Sequence, residues 1–171
     1  MDEKIVAHFL KNVVLFAEFD GEELQVLGES VQSSRYLPGD SVLEEGSANR
    51  ALHILKSGRI RVSRKVQDRE VALCDLEAGQ TFGELSIIED GVASATLRAV
   101  MDTEVLSISM QDLANFLRTS PNAAAKFWRA IAIDLRRRIL QTNDVVRSYF
   151  EVNRALVENE TFREAYAMCN R

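Results

Sequence analysis

The sequence predicts a mainly β domain with flanking helices, an α+β arrangement, and three observations carry that reading. The stretch from Ser34 to Ser109 is punctuated by Gly39, Gly46, Gly58, Gly79 and Gly91, with short alternating runs between them. Helix-start signals stand on both sides of it, at Asp20, Ser109 and Ser120. The last of these opens a run with no Gly or Pro after Pro121. At 171 residues and 46% hydrophobic content the chain supports one core.

The N-terminal part, residues 1–33, reads as helical. Asp20 is placed to cap a helix, with Glu23 at its third position as an acidic capping box. Phe19 and Leu24 flank the cap as a hydrophobic staple, and Leu24, Leu27 and Val31 mark one apolar face. Val13–Phe16 reads as a short helix leading into this turn.

Residues 34–109 read as a β-roll or sandwich. Pro38-Gly39-Asp40 is a turn, since Pro presets φ and Gly tolerates positive φ. Ile60 and Val62 alternate with Arg59, Arg61 and Ser63, and Val71 and Leu73 with Ala72 and Cys74. Ser57-Gly58 reads as a tight hairpin turn between two such strands. Cys74 in this pattern reads as packed, and His53 as a core or edge histidine of its strand.

Residues 110–150 return to helix. Ser109 and Asp112 form a second capping-box-like start, followed by Leu113, Phe116 and Leu117. Ser120 and Pro121 are an N-cap and first helical residue. Phe127, Ile131, Leu135 and Ile139 follow at steps of four. From Ile139 the stripe runs through Thr142, Val146, Tyr149, Asn153 and Leu156, alternating steps of three and four, which is heptad spacing. The front of this helix is therefore expected on the β-roll and its back against a second copy. Residues 151–171 read as a helical tail.

The charge of −5 argues against a nucleic-acid surface, and Arg136-Arg137-Arg138 reads as a solvated face offset by Asp134. No apolar run reaches the roughly 20 residues that span a bilayer, the start does not read as a signal peptide, and the two cysteines have no metal-like spacing. A cytoplasmic protein that meets neither membrane nor nucleic acid is expected. Two histidines on different elements do not make a metal cluster, and no Ser–His–acid triad can be assembled. No catalytic residue, no metal ligand and no enzyme activity are expected.

One segment stands apart: Phe82-Gly83-Glu84-Leu85-Ser86-Ile87-Ile88-Glu89-Asp90-Gly91. A glycine turn before a short helix-compatible run can present orphan N–H groups to an anion. Its setting is Tyr36-Leu37-Pro38-Gly39-Asp40, Val42–Gly46, Leu52–Val62 and Gly79–Ser86, in that order. With these pieces the chain resembles the cyclic nucleotide-binding domain family, which includes the catabolite activator protein and the regulatory subunits of cyclic-AMP-dependent kinase. The resemblance covers roughly Val14 to Ile139. It implies a double-stranded β-helix, or jelly roll, with N-terminal helices and a long C-terminal helix, over residues 1–150.

The resemblance also implies a ligand site for cyclic AMP or cyclic GMP. Glu84 takes the place of the glutamate that accepts from the ribose 2′-hydroxyl, and the N–H groups of Gly83, Leu85 and Ser86 that of the phosphate cradle. Phe82 completes the turn. Ala93 stands where the family has the arginine that pairs with the phosphate. The Ser94 and Thr96 hydroxyls are the remaining polar candidates; Arg98 shares their face but lies one repeat further on. Phe127 and Trp128 are expected as core anchors, with capping of a ligand base as the alternative.

Three functions follow. The first is a regulatory module that senses a small ligand and signals to a partner in trans, forming a homodimer through its C-terminal helix. The second is a ligand-free dimerisation or docking scaffold. A cupin-type enzyme on a similar roll is a distant third. Only 21 residues follow Phe150, less than a helix-turn-helix domain requires.

Overall fold

A computed structural model describes residues 3–67, 69–84 and 91–160. The chain divides into two compact units, residues 1–131 and 132–171.

In the first unit, helix α1 (Glu3–Leu10), a 3₁₀ turn (Val14–Phe16) and helix α2 (Gly21–Glu29) precede the strands. The capping box at α2 is present in full: Glu23 N–H donates to Asp20 Oδ1 at 2.9 Å, and Asp20 N–H donates to Glu23 Oε2 at 2.8 Å. Phe19 and Leu24 are both buried, as the staple requires.

Eight strands follow: β1 (Val31–Tyr36), β2 (Ser41–Leu43), β3 (Ala51–Ser57), β4 (Arg59–Val66), β5 (Arg69–Glu77), β6 (Thr81–Phe82), β7 (Thr96–Ala99) and β8 (Thr103–Ser109). Among the described residues they form two four-stranded antiparallel sheets, ordered β1-β8-β3-β6 and β2-β7-β4-β5. Leu55, Val105 and Phe82 of the first sheet meet Ile60, Ala95 and Leu97 of the second side in one core cluster. On the opposite face of β3 and β8, Leu52 registers with Ile108 and Ile54 with Leu106, all fully buried. Jelly-roll architecture with helices before and after it is thus the fold.

The structure corrects two expectations about this roll. Ser57-Gly58 is not a hairpin turn: β3 pairs with β6 and β8, whereas β4 pairs with β5 and β7, so the chain changes sheet there. Gly58 has φ +93°, and a Cβ on it would overlap Thr103 Oγ1 and stand 2.6 Å from the Asp102 carbonyl. The corner needs glycine because the backbone entering β8 crosses it, a reason no local pattern contains. Cys74, expected to be packed, is exposed, as are Val71 and Leu73. Among the described residues β5 ends its sheet and pairs with β4 alone; Leu76 near its end packs on the core, but over Val71–Cys74 its alternation serves no buried face.

Helix α3 (Met110–Thr119) starts at Ser109, whose hydroxyl accepts from Asp112 N–H at 3.0 Å. Helix α4 (Pro121–Glu158) starts at Pro121, with Ala123 N–H donating to the Ser120 hydroxyl at 3.4 Å. The first turns of α4 belong to the first unit. There Phe127 stacks on Phe16 at 6.2 Å, Phe16 meets Phe19 edge-on at 5.4 Å, and Phe19 stacks on Phe116 at 5.9 Å. Phe127 is the core anchor expected of it, while Trp128 is 46% exposed. Lys126 Nζ reaches Glu23 Oε2 at 2.8 Å, so the carboxylate of the capping box also ties α2 to α4.

In the second unit, α4 continues with a buried Asp134 held by Arg137 at 2.6 Å and Arg138 at 2.8 Å. Two of the three successive arginines are therefore engaged within the helix. No helix among the described residues is long and apolar enough to cross a membrane.

Candidate functional site

Strand β6 delivers Phe82 and Gly83 to one end of the roll. Phe82 registers with His53 of β3, and the two rings stack at 4.9 Å with 14° between their planes. Gly83 has φ +80°. A Cβ there would stand 2.5 Å from Asn49 Nδ2 and 2.9 Å from the Ala51 carbonyl oxygen. Position 83 therefore admits glycine alone, on both conformation and space. The residue after it, Glu84, is a carboxylate only 3% exposed. Burying an ionisable group costs free energy unless it is met by partners, and such groups concentrate where a ligand or chemistry repays them. Leu85 and Ser86, the other cradle positions, lie outside the described residues.

The chain returns at Gly91. Asn49 N–H donates to the Gly91 carbonyl at 2.5 Å, Ala48 bridges Val92, and Ala93 N–H donates to Ser47 O at 2.9 Å. Ala93 O accepts from Gly46 N–H at 2.9 Å. Residues 46–49 are thus a rail against which residues 91–93 are laid. Ala93 is 6% exposed and shares the buried side with Ala95, Leu97 and Ala99. Ser94 is exposed on the alternate side. Thr96 is half-buried, and its hydroxyl accepts from Glu45 N–H at 3.1 Å. Arg98 is ion-paired with Glu44 at 3.3 Å. The structure therefore gathers Phe82, Gly83 and Ala93 around the 46–53 stretch, with the buried Glu84 next to Gly83, and sets Ser94 and Thr96 on the other side of their strand.

Three further residues furnish this end of the roll: His53, read from the sequence as a core or edge histidine without a role at the site, and Asn49 and Ser107, which the sequence did not single out. Asn49, 2% exposed, uses Oδ1 to accept from Ala51 N–H at 3.3 Å and lies 3.0 Å from His53 Nε2. His53 Nδ1 lies 2.8 Å from Ser107 Oγ. Burial pushes the His53 pKa down to about 4, so the ring is neutral at pH 7. Since Oδ1 only accepts, Nε2 carries the ring proton and Ser107 O–H donates to Nδ1. One signal was present: His53 falls two residues before Leu55, on the face that lines the roll interior.

Comparison with known proteins identifies the family and the fold. The model of the family described as "cyclic nucleotide-binding domain" matches residues 33–120. The cyclic AMP receptor protein of Thermus thermophilus is 31% identical over 135 residues, 77% of this chain; the chain spans 62% of that relative's length. The solved N-terminal domain of a transcriptional regulator from Streptomyces coelicolor is 29% identical, with a TM-score of 0.67 over 81% of this chain and 94% of that one. A solved cyclic nucleotide-binding domain from Methylobacillus flagellatus, 21% identical, shares the fold at a TM-score of 0.75 over 86% of this chain and 83% of that one. The family match covers the roll, the glycine turn at Gly83 and helix α3, and the chain belongs to the cyclic nucleotide-binding domain family.

Proposed function

We propose that this chain is a sensor of a cyclic nucleotide, cyclic AMP or cyclic GMP, that acts on a partner in trans and catalyses nothing itself. The observation that carries the reading is the Gly83-Glu84 turn, a left-handed glycine pressed on Asn49 and Ala51 and followed by a buried carboxylate. In this reading Glu84 accepts from the ribose hydroxyl, and the N–H groups of Gly83, Leu85 and Ser86 take the phosphate, with Phe82 as the wall behind them. Ser94 and Thr96 lie on the other side of their strand from Ala93, the Thr96 hydroxyl accepting from Glu45 N–H, so their hydroxyls stand outside this cradle. The test is isothermal titration with each nucleotide. Glu84→Gln keeps one acceptor and removes the charge, so affinity is expected to fall about tenfold, the low end of a charge-assisted hydrogen bond. Absence of heat with both nucleotides would remove the reading.

A second reading, a ligand-free docking scaffold, is favoured by one observation: the position of the family arginine holds Ala93, buried and apolar. Both readings share a homodimer through α4. Ile139, Val146 and Tyr149 are large, exposed and at heptad spacing. Arg147–Glu151 at 3.1 Å and Arg154–Glu158 at 2.9 Å line the same helix as i,i+4 pairs. Val146→Glu is expected to convert a sedimenting dimer to monomer, because a charge would be buried at the seam. A wild-type protein that sediments as monomer would end the dimer proposal.

A further inference from the structure

Asn49 meets the two glycines on either side of the turn, Gly83 and Gly91. Its side-chain amide Nδ2 faces Gly83, where a Cβ would come within 2.5 Å of it, and its backbone N–H holds the Gly91 carbonyl at 2.5 Å. Gly91, at φ +64°, is itself fitted to Asn49: a Cβ there would stand 3.1 Å from the Asn49 carbonyl. The orientation of the amide is fixed from behind. Its Oδ1 receives Ala51 N–H and the Nε2 proton of His53, which leaves Nδ2 turned to the glycine. His53 is in turn fixed by Ser107 on β8 and by stacking on Phe82, the residue before Gly83.

From this geometry we propose that Asn49 is the positioning residue of the ligand turn, with His53 and Ser107 setting its amide. The proposal rests on the nucleotide-sensor reading and adds to it the group that holds Gly83-Glu84 in register with Gly91 and Ala93. The relay also joins the turn to structure beyond it. Ser107 lies two residues before Ser109, the N-cap of α3, on the same strand. Because a neutral imidazole has one donor and one acceptor, Ser107, His53 and Asn49 satisfy one another in one arrangement. That single solution makes the relay a gauge of distance between β3 and β8 rather than a set of interchangeable contacts.

The test uses the full chain and four forms of it: wild type, Asn49→Asp, Asn49→Ala and Ser107→Ala. Asn49→Asp keeps the oxygen that serves Ala51 and His53 and removes the amide donors toward Gly83 but adds a buried charge, so it is read beside Asn49→Ala, which adds none. Nucleotide affinity is expected to fall at least tenfold in both Asn49 variants, and a few-fold in Ser107→Ala, whose only loss is the hydroxyl that fixes His53. The backbone amide resonances of Gly83 and Gly91, recorded without nucleotide, are expected to move in both Asn49 variants while that of Gly58 at the far corner stays in place. Wild-type affinity in both Asn49 variants overturns the proposal. If the wild type binds neither nucleotide, the sensor reading fails, and the glycine resonances still decide: a shift of Gly83 supports positioning by Asn49, and an unmoved Gly83 overturns it.

Discussion

Between pH 6.5 and 4.5 the folded protein is expected to lose about 2–3 kcal/mol of stability, and His53→Gln to lose most of that dependence. Burial holds the His53 pKa at about 4, below its ordinary value of 6.5. Protons therefore bind the unfolded chain first as the pH falls. The penalty is absent above pH 6.5, grows as the unfolded histidine takes its proton, and levels off near pH 4, where the folded ring is protonated too. Three carboxylates titrate in a lower window. Glu45 is held low by Lys65 N–H and Arg64, Asp75 by Arg61, and Glu104 by Lys56 and Ser33. Their contributions are present above the ordinary carboxylate range and vanish only as the pH falls through their depressed values. Because these contributions are common to wild type and His53→Gln, the slope that the variant removes between pH 6.5 and 4.5 belongs to the histidine. Denaturant midpoints at half-unit pH steps measure it. A flat curve in wild type, or equal slopes in wild type and His53→Gln, would contradict a buried neutral imidazole.

The same histidine shows why parts of this protein were legible in its sequence and others were not. Helix starts are local events. Asp20 with Glu23, Ser109 with Asp112, and Ser120 with Pro121 each place donor and acceptor within three residues, so the residues alone identify them, and all three stand where expected. Strand existence is nearly as local, since glycine turns and alternation mark it. Strand pairing is not. Gly58 looked like the centre of a hairpin because two alternating runs flank it. Yet the two runs never pair with each other: β3 lies between β8 and β6, and β4 between β7 and β5, in different sheets. Val71, Leu73 and Cys74 have the alternation of a half-buried strand but lie exposed on the strand at the edge of its sheet.

The candidate site divides along the same line. Gly83 and Glu84 were readable because a glycine turn and its charged successor form a contiguous motif, and the ordered set of neighbouring motifs gave it a family. Asn49, His53 and Ser107 were not, because the contact that defines them spans 54 residues from His53 to Ser107. A histidine in an apolar strand has many satisfactory fates, and only the register of β3 on β8 selects this one. The alternation that grouped Ser94, Thr96 and Arg98 on one face was correct. It could not tell which face turned inward, and the buried set is Ala93, Ala95, Leu97 and Ala99.

Restoring an arginine at position 93 is expected to raise affinity for a cyclic nucleotide by one to two decades. A guanidinium that meets two phosphate oxygens contributes about 1.5–3 kcal/mol as a charge-assisted pair, which converts to that range. The backbone at 93 is fixed on both sides, by Ser47 O and Gly46 N–H, so the new side chain leaves from a defined point on the buried face of the strand. Burial has an opposing effect. Without ligand the added volume and charge should lower the melting temperature of Ala93→Arg, by the roughly 1–3 kcal/mol typical of overpacking. Nucleotide at a hundred times its Kd should return about 2.7 kcal/mol. Ala93→Lys supplies the charge without the fork and should gain less, and Ala93→Gln supplies neither the charge nor the fork and should gain nothing. That ranking is the discriminating result. If arginine, lysine and glutamine all weaken binding alike, no phosphate occupies this end of the roll. Ala93 then marks a site closed to anions, and the scaffold reading gains what the sensor reading loses.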